Sequence, residues 1–130
     1  MPDSRHELWL KQAENDLAWG HNSLKNGFYA QSCFIAQQVG EKAIKALAYF
    51  RKIDIVKSHS ITKIVIALKI NGPLAEIARV LDLYYIPTRY PDAMIDNITP
   101  GEFFSKKQAD EALAMAENFL KTIASMISST

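Results

Sequence analysis

Residues 29–50, YAQSCFIAQQVGEKAIKALAYF, constrain the chain more than any other stretch. Phe34, Ile35, Ala36, Val39, Ala43, Ile44, Leu47 and Ala48 recur at helical spacing, yet they wrap more than one side of the cylinder. A helix that is apolar over so broad an arc needs neighbours on more than one side to keep it from water. The rest of the chain therefore has to supply helices that surround this one.

Upstream, Ser4 followed by Glu7 is a capping-box pattern that opens a helix running to about Asn26. Leu10, Ala13, Leu17 and Leu24 keep to one side of it, with Trp9 and Trp19 able to widen the stripe. Asn26-Gly27 is the stop, because glycine tolerates the left-handed backbone that ends many helices. Downstream of a basic connection, Ser58 or Ser60 can cap a third helix, SITKIVIALKI, ending at Asn71-Gly72. Its β-branched content would also suit a strand. Against that, Ile61, Ile64, Val65 and Leu68 fall at helical spacing, and no second strand is there to pair with it. Pro73 suits the first turn of a fourth helix reaching about Tyr85. Ser105 with Gln108 repeats the capping box and opens a fifth helix to about Ile127. The expected fold class is all-α: one domain over residues 1–130, an antiparallel bundle of about five helices. A long ordered loop, Ile86 to Phe104, separates helices four and five. Loops of that length inside a compact domain tend to be functional or disordered, and the aromatic content of this one argues for order.

Composition excludes several classes. No apolar run approaches the ~20 residues of a membrane span, and MPDSRHELWL lacks the apolar core of a secretory signal. Cys33 is alone, so no internal disulfide forms, and a cytoplasmic location is expected. Cys33 itself reads as a small core residue. No Cys/His zinc cluster is present, so neither metal nor cofactor is expected. The net charge of +1 conceals an uneven distribution. Lys42, Lys45, Arg51, Lys52, Lys57 and Lys63 face the single acid Asp54, giving +5 between Lys42 and Lys63 and −4 elsewhere. Such a run is either a solvated face or a field that attracts phosphate.

Two constellations could carry chemistry. On the second helix, Gln37, Glu41 and Lys45 are spaced by four, with Gln38 and Lys42 on the adjoining stripe. They form either an ordinary i,i+4 ion pair on an exposed face or the lining of a groove or subunit contact. The loop segment YYIPTRYPDA holds Arg89, Tyr90 and Asp92 among two prolines, Pro87 and Pro91, that stiffen it. Arg89 presents a planar fork of donors suited to phosphate. Asp92 can pair with it or cap a turn. Tyr84, Tyr85 and Tyr90 can stack on a base or anchor the loop. The candidate ligand-binding set is Arg89, Lys42, Lys45, Arg51, Tyr90, Asp92, Gln38 and Glu41. His59 is the histidine beside the basic segment, either an acid–base candidate or a residue that starts a helix.

These residues resemble a known family. The AE-x-DL pattern at Ala13, Glu14, Asp16 and Leu17, Gly27 with Tyr29, Cys33 to Lys45, Ser58-His59-Ser60, and TRYPDA after helix four together resemble a HEPN domain across essentially the whole chain. The resemblance implies a bundle of about five helices that forms a homodimer. It also implies a partner, a minimal nucleotidyltransferase encoded alongside in a toxin–antitoxin-like pair, and a nucleotide or RNA phosphate as ligand. Many such domains are RNases in which an Arg precedes a His by about four to six residues. There the Arg holds phosphate and the His acts as acid or base. Here Arg51 and His59 have seven residues between them, and no histidine follows Arg89. The expectation is therefore a dimeric phosphate-binding module. The alternatives are a metal-independent RNase using His59 with an Arg across the dimer, and a purely structural interaction module.

Overall fold

The computed structural model describes residues 4–54, 57–85, 92 and 98–129. They form six helices: α1 (Arg5–Lys25), α2 (Tyr29–Phe50), α3 (Ile61–Ala67), α4 (Pro73–Asp82), α5 (Pro100–Phe103) and α6 (Lys106–Ser128). No strand occurs among the described residues.

α2 is the centre, as its broad apolar arc requires. It runs antiparallel to α1: His6 meets Phe50, Trp9 stacks on Tyr49, and the Ser32 hydroxyl donates to the Gly20 carbonyl. Two glycines let the layers close. A Cβ on Gly20 would lie 2.6 Å from a Leu113 methyl and 3.2 Å from Ile35, so α1, α2 and α6 meet there. A Cβ on Gly40 would lie 2.7 Å from Ile61 and 3.0 Å from Leu81, so α3 and α4 press on another side of α2. Ile35, Ile44, Leu47, Leu113, Phe119 and Ile123 fill the core between them.

The helix ends explain where the observed boundaries depart from the expected ones. Ser60 and Ser105 have extended backbones and accept hydrogen bonds from the third residue on, Lys63 and Gln108. Gln108 returns the bond to the Ser105 amide, completing the second box. Ser4 has ψ 12° and makes no side-chain cap, because a near-helical backbone turns the hydroxyl away from the N3 amide. α3 stops short of Asn71-Gly72: Lys69 takes a left-handed φ of 59°, and the amides of Lys69 and Ile70 close back on Ile66 and Val65. This is a Schellman stop built on lysine in place of glycine. α4 ends at Asp82 in place of Tyr85, and the expected loop between helices four and five contains the short helix α5. Tyr84 packs on the buried Phe104, so one of the three tyrosines does anchor the chain.

Cys33 is fully buried, and that burial pushes its thiol up to about 12. The folded chain holds the proton more tightly than the unfolded chain, whose thiol titrates at ~8.5. Stability is therefore complete below about pH 8.5 and falls as pH rises toward 12, by up to ~1.4 kcal/mol per pH unit. Tyr84, raised mainly by burial, acts in the same direction. Urea titrations from pH 7 to 11 should show a shallower decline for Cys33→Ala than for the native chain. Equal slopes would show that the thiol does not contribute.

Candidate functional site

The polar side of α2 is neither exposed nor an isolated ion pair. Gln37 is wholly buried and Glu41 is 4% exposed, and each is fully engaged. The Gln37 amide donates to the His59 carbonyl at 2.8 Å and to Asp82 Oδ1 at 3.3 Å, while its own oxygen accepts from Gln38 at 2.7 Å. Glu41 accepts from Lys45 at 3.0 Å and lies 3.3 Å from Nδ1 of His59. One residue further along α2, Lys42 pairs with the buried Asp16 of α1, which also accepts from Gln12 at 2.9 Å. Lys45 caps the face of Trp9, 5.6 Å from its centroid. Among the described residues, no buried side-chain nitrogen or oxygen lacks a partner.

Asp82, in the last turn of α4, organises the neighbouring wall. Its carboxylate accepts from the amides of Ile61 (3.0 Å) and Thr62 (2.9 Å) and from the Ser60 hydroxyl (3.0 Å). An acid at the end of its own helix meets an unfavourable dipole, but here it faces the positive start of α3. The result fixes the Ser58-His59-Ser60 bend against α2. His59 is the group this framework displays. Its carbonyl is held by Gln37, its ring stacks on Tyr85 at 5.5 Å and 14°, and its side chain is 69% exposed. With Nδ1 on Glu41, Nε2 is the nitrogen left for a ligand. His59, Ser60, Asp82 and Tyr85 line an open cleft of about 290 Å³.

The structure brings Gln38, Glu41, Lys42 and Lys45 together on α2, with both lysines neutralised within the chain. Arg51 is exposed at the C-terminal end of α2, ten residues beyond Glu41 and about 15 Å along the helix. Asp92 is exposed. Arg89 and Tyr90 lie outside the described residues. The cations nearest His59 in sequence are Lys57 and Lys63, both exposed, and the candidate set had omitted them. Asp82 was also missed. Its signal was available: an acid in a helix's last turn is misplaced unless another element supplies donors. No described helix is long and apolar enough to cross a membrane.

Comparison with known proteins gives the family. The chain is 30% identical over 129 residues to a Methanocaldococcus jannaschii protein named "Putative toxin MJ1304", covering 90% of this chain and 84% of that one. Among solved structures, TT1696 from Thermus thermophilus superposes with a TM-score of 0.87 at 38% identity, covering 95% of this chain and 98% of that one. ST0689, described as an archaeal HEPN homologue, superposes at 0.81 with 35% identity and the same coverage. A HEPN domain protein from Thermotoga maritima, at 24% identity and a TM-score of 0.74, covers 94% of this chain and 98% of its own, and shares the fold. The HEPN domain family model matches residues 6–126, and the chain belongs to that family.

Proposed function

We propose that the cleft at the start of α3 binds a phosphate group of RNA or of a nucleotide, with His59 as the contact residue. On this reading the chain is the HEPN half of a toxin–antitoxin-like pair with a minimal nucleotidyltransferase. One observation carries it: a histidine clamped at Nδ1 by a buried carboxylate, stacked on Tyr85, and still presented to solvent. A side chain that served only to start α3 would not need such a setting, since Ser60 and Asp82 already cap the helix. Lys57 and Lys63 supply positive charge on either side in sequence. The toxin name of the Methanocaldococcus jannaschii relative supports the paired-system reading.

Fluorescence anisotropy with a short unstructured RNA tests the proposal. His59→Ala is expected to weaken binding about tenfold or more, the size of one charge-assisted hydrogen bond. Binding should also fall as salt rises. Unfolding should change little, because Glu41 keeps Lys45 and the His59 carbonyl stays on Gln37. Unchanged affinity in His59→Ala, or no RNA or nucleotide binding at any salt, would overturn the reading.

A second reading, metal-independent RNA cleavage, is favoured by the Glu41–His59 contact alone. A carboxylate on Nδ1 fixes the tautomer and leaves Nε2 to take or give a proton. Cleavage of the same RNA in chelator, lost in His59→Ala, would select it.

A further inference from the structure

We propose that contact between His59 and a phosphodiester takes up a proton, so that pH sets the affinity of the chain for RNA. The inference rests on the reading of the cleft as a phosphate site and adds its regulation. Glu41, paired with Lys45 through Oε2, is a carboxylate and can only accept a hydrogen bond. Its Oε1 lies 3.3 Å from Nδ1 of His59, so Nδ1 carries a proton. A neutral imidazole has one N–H, and here it is spent on Glu41. Nε2 then presents a lone pair to the cleft. The oxygens of a phosphodiester accept hydrogen bonds and none of them donates, so a lone pair facing them repels them. The contact forms when Nε2 is protonated as well, and both ring nitrogens then donate.

The charges around the ring favour this exchange. On α2, the single negative charge of Glu41 is shared between Lys45 at 3.0 Å and His59. With a neutral imidazole this group of side chains sums to zero. With an imidazolium it carries one positive charge, which the phosphate cancels. Asp82, at the end of α4, is the other carboxylate beside the cleft. Its oxygens are taken by the amides of Ile61 and Thr62, the Ser60 hydroxyl and the Gln37 amide, but its charge still favours the imidazolium. Tyr85 stacks on the face of the ring and so leaves the Nε2 edge to the ligand. Lys57 and Lys63, exposed on either side in sequence, oppose the proton but attract the same phosphate. Proton and phosphate each strengthen the binding of the other, a reciprocal coupling. The complex holds more protons than the free chain, so affinity falls as pH rises.

Anisotropy with an oligouridylate that lacks a terminal phosphate tests the linkage from about pH 5.5 to about 8.5, a range that spans imidazole titration. Such an RNA takes up no proton of its own there. At the acid end the native chain should bind about tenfold or more tighter than His59→Ala, and at the alkaline end the two should converge. The decline should not exceed about tenfold per pH unit, the slope of one proton. His59→Gln keeps an N–H donor near the place of Nε2 and does not titrate, so its affinity should stay flat. Calorimetry in buffers of different ionisation heat should read a net proton uptake on binding in the native chain and none in His59→Gln. The side chain is 69% exposed, so folding should survive both changes. Native affinity that stays constant across the range, with His59→Ala still weaker, would overturn the linkage and leave the phosphate reading standing. An equal slope in His59→Gln would assign the proton to another group, such as His6 or His21 of α1, and would also overturn it. Equal binding by the native chain and His59→Ala at the acid end would remove both readings.

Discussion

Asp82→Ala is expected to cost about 3 kcal/mol or more of folding free energy, and to release α3 before the rest of the bundle unfolds. The carboxylate answers two backbone amides, one hydroxyl and the buried Gln37 amide. Hydrogen bonds to a charged acceptor are each worth roughly 1.5–3 kcal/mol, and buried donors left without one cost a further desolvation penalty. The energies do not add fully, because Ser60 still caps Lys63 and water can reach the half-buried bend. α3 is the element at risk: at seven residues it is too short to persist as an isolated helix. Asp82→Asn, which keeps one acceptor oxygen and loses the charge, should fall between Asp82→Ala and the native chain. Urea unfolding gives the total cost, and amide hydrogen exchange gives its location, with Ile64, Val65 and Ile66 losing protection first. A loss below about 1 kcal/mol with α3 amides still protected would mean that packing of Ile61 and Val65, and not the carboxylate, holds the helix. Because Gln37 ties Asp82 to the His59 carbonyl, the same variant should also blur the cleft.

What the sequence made legible was the local part of the structure. α2 follows from its own apolar arc, and α6 from a capping box contained in four residues. The stop at Gly27 works because glycine takes φ 84° there without steric cost. The end of α3 was not legible, because Lys69 adopts the left-handed turn that glycine usually supplies. The site divides the same way. The Gln37–Glu41–Lys45 row was visible as helix spacing, and a central helix leaves little free face for a solvated row. Its partners were hidden: Asp16 is 26 residues from Lys42, His59 is 18 from Glu41, and Asp82 is 45 from Gln37. Such contacts depend on which helices become neighbours, and no window of sequence contains them. The same holds for the basic run, which the sequence leaves open between a solvated face and a field that attracts phosphate. Two of its six cations, Lys42 and Lys45, are cancelled by carboxylates on the same face, one of them contributed by another helix.

Glu41→Ala is the second large effect expected, and its value lies in the comparison with a double variant. Glu41 is 5% and Lys45 13% exposed at their side chains, so removal of the carboxylate strands an ammonium group that water barely reaches. Breaking a buried pair in this way typically costs about 3–5 kcal/mol. Contact with the Trp9 ring and the length of the lysine stem offset part of it, which puts the expectation near the lower end. Replacing both partners with apolar residues of similar size, Glu41→Leu with Lys45→Met, removes the stranded charge as well as the pair. That variant should recover most of the lost stability, since a buried ion pair is rarely worth more than good packing. The two variants share one defect: neither holds Nδ1 of His59. If the pair serves chiefly to present the imidazole, the double variant should fold nearly as well as the native chain and still bind RNA as weakly as His59→Ala. If it binds RNA normally, stacking on Tyr85 is sufficient to position the ring, and Glu41 serves the fold alone. A Glu41→Ala loss of under about 1 kcal/mol would show instead that Lys45 reaches water or another acceptor, and that the pair is dispensable to both.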